Sequence, residues 1–178
     1  WYPAPATPPG AVFAATLWDP DGPGPQVERI VMIAGGRLCT WDGTNFTVLS
    51  NDLIGRNPRH AVGVYNNEIY VAGWFTSLGG VAAQGLAKWT PSGWQAVQSA
   101  PGQINMLSQN PSFTVYRGEL YFAGNFMTST GAPSNFIMRY DGTTWRSLGG
   151  QSPNAVAPGI AVLAMEVIGD DLYVGGEH

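Results

Sequence analysis

The sequence predicts an all-β protein built from four-stranded antiparallel units, and three observations carry that prediction. First, a short apolar motif recurs: "VYNNEIYVAGWF" at 64 to 75, "VYRGELYFAGNF" at 115 to 126 and "VIGDDLYVGGEH" at 167 to 178. Its leading valines, Val64, Val115 and Val167, lie 51 and 52 residues apart. Second, aromatic residues stand on either side of a turn at Trp41 and Phe46, at Trp89 and Trp94, and at Tyr140 and Trp145. Third, the 178 residues include 24 glycines and 14 prolines, a supply of turn formers that suits many short strands better than long helices.

Each motif reads as a hairpin. Asn66-Asn67, Arg117-Gly118 and Gly169-Asp170 tolerate the positive φ that two-residue turns require. The second strand of the hairpin closes on Gly35, Gly73, Gly124 and Gly175, so the element occurs four times. Ala72-Gly73 and Ala123-Gly124 are small where a larger side chain is expected to collide.

A second hairpin follows in "RLCTWDGTNFTVL" (37 to 49), "GLAKWTPSGWQAV" (85 to 97) and "FIMRYDGTTWRSL" (136 to 148). Asp42-Gly43, Ser92-Gly93 and Asp141-Gly142 supply its turns. The unit is therefore two hairpins, or four strands. "IYVAG" and "LYFAG" are apolar at consecutive positions, which predicts burial of both sheet faces.

Four-stranded units of this length, each covered on both faces by its neighbours, make up a β-propeller. The division expected is a Pro-rich start at 1–11, which doubles as the last strand of a preceding blade, then blades at 12–50, 51–99 and 100–150, and half a blade at 151–178. Trp1 supports that start, lying 45 residues before Phe46 in the series Phe46, Trp94, Trp145. About three and a half blades are present. Closing a ring takes about four or more, so a larger or partner-completed propeller is expected. Further blades or a protein partner should then cover residues 167–176, and the first sheet should offer a second uncovered edge near residues 11–36.

The residues also resemble a known family. "HAVGVYNNEIYVAGWF" followed by "LAKWTPSGWQAV" resembles a kelch-type repeat, and "LYFAGNFMTSTGAPSNFIMRYDGTTWRSLG" is similar to the secreted kelch-like repeats of environmental bacteria. The likeness covers nearly everything after the Pro-rich start. Two features depart from it. The paired glycine is intact only at Gly35-Gly36 and Gly175-Gly176, and the first copy runs six residues from Gly35 to Trp41, against sixteen from Gly73 to Trp89. A longer first hairpin, "WDPDGPGPQVER", partly offsets that shortening. The resemblance implies a non-enzymatic protein-binding or scaffold module, exported to the extracellular space or the periplasm. It leaves two alternatives: a sugar-oxidase or glycosidase propeller whose active site lies on other blades, and an accessory subunit of a larger envelope complex.

Composition narrows the partners. Hydrophobic residues make up 44% and charged residues 11%, which argues against disorder. Net charge is −4, with Lys88 as the single lysine, so nothing resembles a phosphate-binding surface. The longest apolar run, near Gly159 to Met165, is far shorter than the roughly 18 residues of a membrane helix. The chain opens on Trp1 without Met, followed by "YPAPATPPG", which reads as the remainder left by a signal peptide or a longer upstream segment.

Chemistry is sparse. His60, His178 and Cys39 stand apart, with no spacing suited to zinc or copper, and no cofactor is expected. Asp19 and Asp21 in "WDPDGPG" resemble the start of a calcium loop without its later acidic ligands. Glu68, Glu119 and Asp171 occupy matching hairpin positions and read as structural. Binding candidates are loop residues expected to be exposed: Arg56, Arg59, His60, Trp74, Phe75, Asn125 and Phe126. Aromatics and arginines anchor protein interfaces, and aromatic faces also stack on carbohydrate, the alternative ligand class.

Overall fold

Turn chemistry sets the hairpins. Asn66 and Asn67 have φ of 49° and 63°, and Arg117 and Gly118 have 49° and 75°. Positive φ at both central residues is the type I′ signature, whose twist matches the strands it joins. Gly169, at φ 62°, leads a turn in which only the first central residue is positive, the type II′ signature.

The computed structural model describes residues 6–53, 60–97, 105–106, 111–124, 126–127, 137–148 and 162–176, and no helix occurs among them. The first sheet holds β1 (Val12–Trp18), β2 (Arg29–Ala34), β3 (Arg37–Trp41) and β4 (Phe46–Ser50), in that order. Next come β5 (Ala61–Tyr65) and β6 (Glu68–Ala72), a ribbon of β7 (Ser77–Leu78) and β8 (Val81–Ala82), then β9 (Leu86–Thr90) and β10 (Gly93–Ala96). The second sheet has the order β5-β6-β9-β10. In the third unit, β11 (Asn105–Met106) pairs with β14 (Phe126–Met127), while β12 (Ser112–Tyr116), β13 (Glu119–Ala123), β15 (Ile137–Tyr140) and β16 (Trp145–Ser147) form the sheet β12-β13-β15-β16. A two-stranded sheet of β17 (Val162–Ile168) and β18 (Asp171–Gly176) follows. All pairings are antiparallel.

Register makes the units superimposable. Ile30, Ile69 and Leu120 face Trp41, Trp89 and Tyr140 across the second and third strands of their sheets. One residue on, Val31, Tyr70 and Tyr121 face Thr40, Lys88 and Arg139.

The sheets pack in series through their first strands, β1 against β5, β5 against β12, and β12 against β17. Alternation along β6 then serves two cores. Ile69 and Val71 join Val31, Ile33 and Leu38 of the first sheet, while Tyr70 and Ala72 join Leu120, Phe122 and Met138 of the third. Tyr121 and Ala123 turn the other way, toward Val162 and Met165. Both faces of the middle sheets are thus buried, as the unbroken apolar runs predict. Each fully buried Leu, Ile or Phe, such as Leu38, Ile69 or Phe122, contributes roughly 1.5–3 kcal/mol of apolar transfer.

One loop expectation needs correction. The segment around "SLGGVAAQG" reads as a surface loop, yet it forms the β7–β8 ribbon and sinks Leu78 fully into the core. Gly79 and Gly80, with φ of 54° and 81°, let it turn back so tightly. The first sheet's outer face is only partly uncovered. Phe13 and Leu17 are exposed on β1, but Met32 and Cys39 are buried beside the Trp41–Phe46 ring pair.

Candidate functional site

β1 ends on Trp18, β5 on Tyr65 and β12 on Tyr116, three aromatic residues that hold the same register position before a hairpin turn. Each donates a hydrogen bond to the second turn residue of the next sheet. Trp18 Nε1 donates to the Asn67 carbonyl at 2.8 Å, Tyr65 Oη to the Gly118 carbonyl at 2.9 Å, and Tyr116 Oη to the Asp170 carbonyl at 2.8 Å. Neighbouring sheets are therefore latched at the edge where these turns gather.

Beside the first latch the sheets part, leaving a recess of about 600 Å³. Trp18, Gln26 and Arg29 line it from the first sheet, and Asn67, Glu68 and Trp89 from the second. The equivalent space between the second and third sheets is filled by Tyr65, Tyr70 and Tyr140, whose ring centroids are 6.1–6.4 Å apart. In the first sheet the residue matching Tyr70 is Val31, which is too short to fill the gap.

The recess is braced. Trp89 meets Trp94 edge-on with centroids 5.3 Å apart, and Trp94 Nε1 donates to Ser50 Oγ and Asp52 Oδ2, both at 2.9 Å. Glu68 Oε1 pairs with Lys88 Nζ at 2.6 Å, and its Oε2 accepts from Tyr70 Oη at 3.1 Å. Burial, and then the Glu68 charge, raise the Tyr70 pKa well above that of an ordinary phenol, so Tyr70 stays a donor.

The candidates read from sequence scatter. Arg56, Arg59 and Asn125 lie outside the described residues. Phe126 lies on β14 opposite Met106. Trp74 is exposed, as expected, at 64%. His60 and Phe75 are not: both are buried, and their rings stack with centroids 6.1 Å apart. They were expected in an exposed loop, but the β7–β8 ribbon folds Phe75 into the core between the first two sheets. Of the candidates whose side chains are described, Trp74, His60 and Phe75, none lines the recess. Trp18 and Trp89 do, and the signal for Trp18 is that an aromatic residue precedes the hairpin turn in three units.

Asp19 Oδ1 accepts the Asp21 amide at 3.3 Å, and Asp21 Oδ2 accepts the Gln26 amide at 3.2 Å. These bonds shape the long β1–β2 connection. Among the described residues no three His, Cys, Asp or Glu side chains gather as a metal site. Cys39 is buried, its pKa raised by desolvation, and its Sγ faces the Met32 carbonyl at 3.8 Å. No helix among the described residues is long and apolar enough to cross a membrane. No protein-family model matches the chain, and no curated protein was found to be similar to it.

Proposed function

We propose that the chain is a segment of a kelch-like β-propeller that works as an exported, non-enzymatic protein-binding module. The latched series of sheets supports the propeller reading, since equivalent four-stranded units follow one another through their first strands with a repeated polar tie at one edge. The kelch-like motifs support export through the secreted repeats they resemble.

The observation that carries the binding role is the recess between the first two sheets. It offers two indoles and a guanidinium, from Trp18, Trp89 and Arg29, and these side-chain types dominate the energetics of protein interfaces. At about 600 Å³ it accommodates one or two side chains of a partner loop.

Peptide-display selection against the purified chain tests this reading. Selected peptides should lose at least tenfold in affinity toward Trp89→Ala or Arg29→Ala, with both variants folded by circular dichroism. Peptides insensitive to both substitutions would move binding elsewhere. Turnover of a defined substrate by the purified chain, abolished by a loop substitution, would overturn the non-enzymatic reading.

One observation favours a carbohydrate ligand as a second reading. The indoles of Trp18 and Trp89 are accompanied in the recess by Gln26, Asn67 and Glu68, a combination that suits a sugar ring and its hydroxyls. Binding on an oligosaccharide array that Trp89→Ala removes, without any peptide selected, would decide for this reading.

A further inference from the structure

The recess beside Trp18 holds an uneven supply of hydrogen-bonding groups. Part of its polar lining is already engaged: Trp18 Nε1 donates to the Asn67 carbonyl at 2.8 Å, and the two oxygens of Glu68 are taken by Lys88 at 2.6 Å and Tyr70 at 3.1 Å. Thr90 Oγ1 is held as well, donating to the Gly93 carbonyl at 3.1 Å and accepting the Ser92 amide at 3.3 Å. Glu68, the acid of the lining, is thereby neutralised.

What stays unpaired is weighted toward donors. Among the described residues, neither the Arg29 guanidinium nor the Trp89 indole N–H makes a hydrogen bond or an ion pair. Arg29 acts on Asp42 only through its charge, and Asp42 Oδ1 accepts the Thr44 and Asn45 amides instead. A guanidinium and an indole can only donate. Gln26 and Asn67 add side-chain amides, which donate and accept alike. The rest of the lining is apolar: Pro20, Val48, Leu49 and Pro91.

The ligand that suits such a recess brings acceptors and few donors, because a donor covered without a partner weakens binding and a donor brought in finds few free acceptors. Proline-rich backbone meets both conditions. Proline has no N–H, the extended left-handed helix it favours leaves every carbonyl free to accept, and its rings dock in grooves lined by aromatic residues. We propose that the recess binds a proline-rich segment of a partner protein in the polyproline II conformation, with Arg29 and Trp89 Nε1 donating to its carbonyls and its rings packed against the two indoles. This names the ligand class for the binding role given to the recess above, and rests on that reading. It weighs against a sugar, whose hydroxyls each bring a donor of their own. The chain's own Pro-rich start is held elsewhere: the Pro9 carbonyl accepts Arg37 Nη1 at 3.1 Å beside Gly35, past the opposite end of β2 from Arg29.

The test titrates the full 178-residue chain with acetylated hexaproline amide, and with a glycine–serine hexapeptide as control, while the indole N–H resonances are followed by NMR. The Trp89 resonance, identified by its loss in Trp89→Phe, should move downfield to saturation with hexaproline and stay in place with the control. Affinity should fall about fivefold in Trp89→Phe, which keeps a ring but loses the donor, and by a similar factor in Arg29→Met, with both variants folded by circular dichroism. An unmoved Trp89 resonance, or binding to both variants as tight as to the parent chain, would overturn the proposal. If peptides without proline are then selected by display and lose affinity toward Trp89→Ala, the recess still binds protein and only the proline assignment falls. Selected peptides that ignore both Trp89→Ala and Arg29→Ala would remove the recess reading itself. Self-association of the chain that Trp89→Phe abolishes would give the site to the Pro-rich start of a second copy, and would overturn the assignment to a partner protein.

Discussion

Tyr65 Oη donates to the carbonyl of Gly118 at 2.9 Å, bridging 53 residues of sequence and joining the end of one sheet's first strand to the hairpin turn of the next. The same tie recurs from Trp18 to Asn67 and from Tyr116 to Asp170. The indole and the phenols serve alike because the position needs only a rigid aromatic arm with a donor at its tip. At the fourth position stands Ile168, which is 61% exposed and has no donor to offer.

Removing the donor should loosen the sheets without unfolding them. Tyr65→Phe keeps the ring among Tyr70 and Tyr140 but leaves the Gly118 carbonyl without its phenol donor, a loss of about 1–2 kcal/mol. Urea unfolding should show a lower midpoint at an unchanged slope. Tyr116→Phe should cost less, because its hydrogen bond is exposed and Arg117 Nη2 also donates to Asp170 at 3.3 Å.

Gly73→Ala should be more damaging than an added methyl group suggests. A Cβ there would run into the His60 ring, which is buried and stacked on Phe75. Forcing atoms into a packed site of this kind costs about 1–3 kcal/mol. Combining Gly73→Ala with His60→Ala should cost less than the sum of the two single changes, because the smaller side chain removes the collision. Additive losses in thermal unfolding would mean that the glycine is needed for another reason.

The sequence made the hairpins legible because turn geometry is local. Asn66-Asn67 and Arg117-Gly118 adopt the positive φ expected of their turns, and Asp42 and Asp141 each cap their turns by accepting two backbone amides at 2.7–2.8 Å. Burial of both faces was legible too, from the unbroken apolar runs of β6 and β13. What escaped depends on how sheets meet. His60 and Phe75 look like loop residues, yet both are buried with their rings stacked on each other. The recess was hidden because it arises from a difference between units, Val31 in one and Tyr70 in the next, and a motif search looks for sameness. The first latch was masked by the long β1–β2 connection, which throws Trp18 out of the spacing that relates Tyr65 to Tyr116.

Stability should fall on both sides of neutrality, for different reasons. Burial, followed by the Glu68 and Glu119 charges respectively, raises the pKa of Tyr70 and Tyr121, and burial raises that of Tyr140, all from an ordinary value of 10.0. The fold therefore holds protons that the unfolded chain releases, so this contribution is complete below pH 10 and is lost as pH rises through the raised values. Asp42 and Asp141 behave oppositely. Amide hydrogen bonds lower their pKa from 3.8, so their contribution is present above that pH and is lost as pH falls through the lowered values. Tyrosinate absorbance should rise in two steps on alkaline titration, the second coinciding with unfolding. A single step near pH 10 in the folded protein would contradict the burial of these phenols.

The two ion pairs between second and third strands should add little to stability, in a register that the backbone ladder already sets. Glu68 and Lys88 retain 34% and 22% side-chain exposure, and Glu119 and Arg139 retain 22% and 38%, so solvent screens both attractions. A double-mutant cycle on Glu68→Gln and Lys88→Met should return a coupling of about 0.2–1 kcal/mol. Reversing one charge is a sharper probe. Lys88→Glu sets a second carboxylate beside Glu68, on the strand where Tyr70 Oη already donates to Glu68 Oε2. Like charges at this distance repel, and about 1 kcal/mol should be lost. The paired change Glu68→Lys with Lys88→Glu should recover most of that loss, since the backbone ladder between β6 and β9 is untouched. Recovery in the unfolding midpoint, together with unchanged amide protection along β9, would show that the pair reports on register already set by the backbone. Failure to recover would mean that the Tyr70 hydrogen bond, and not the charge pair, is what the acid at position 68 is there to make.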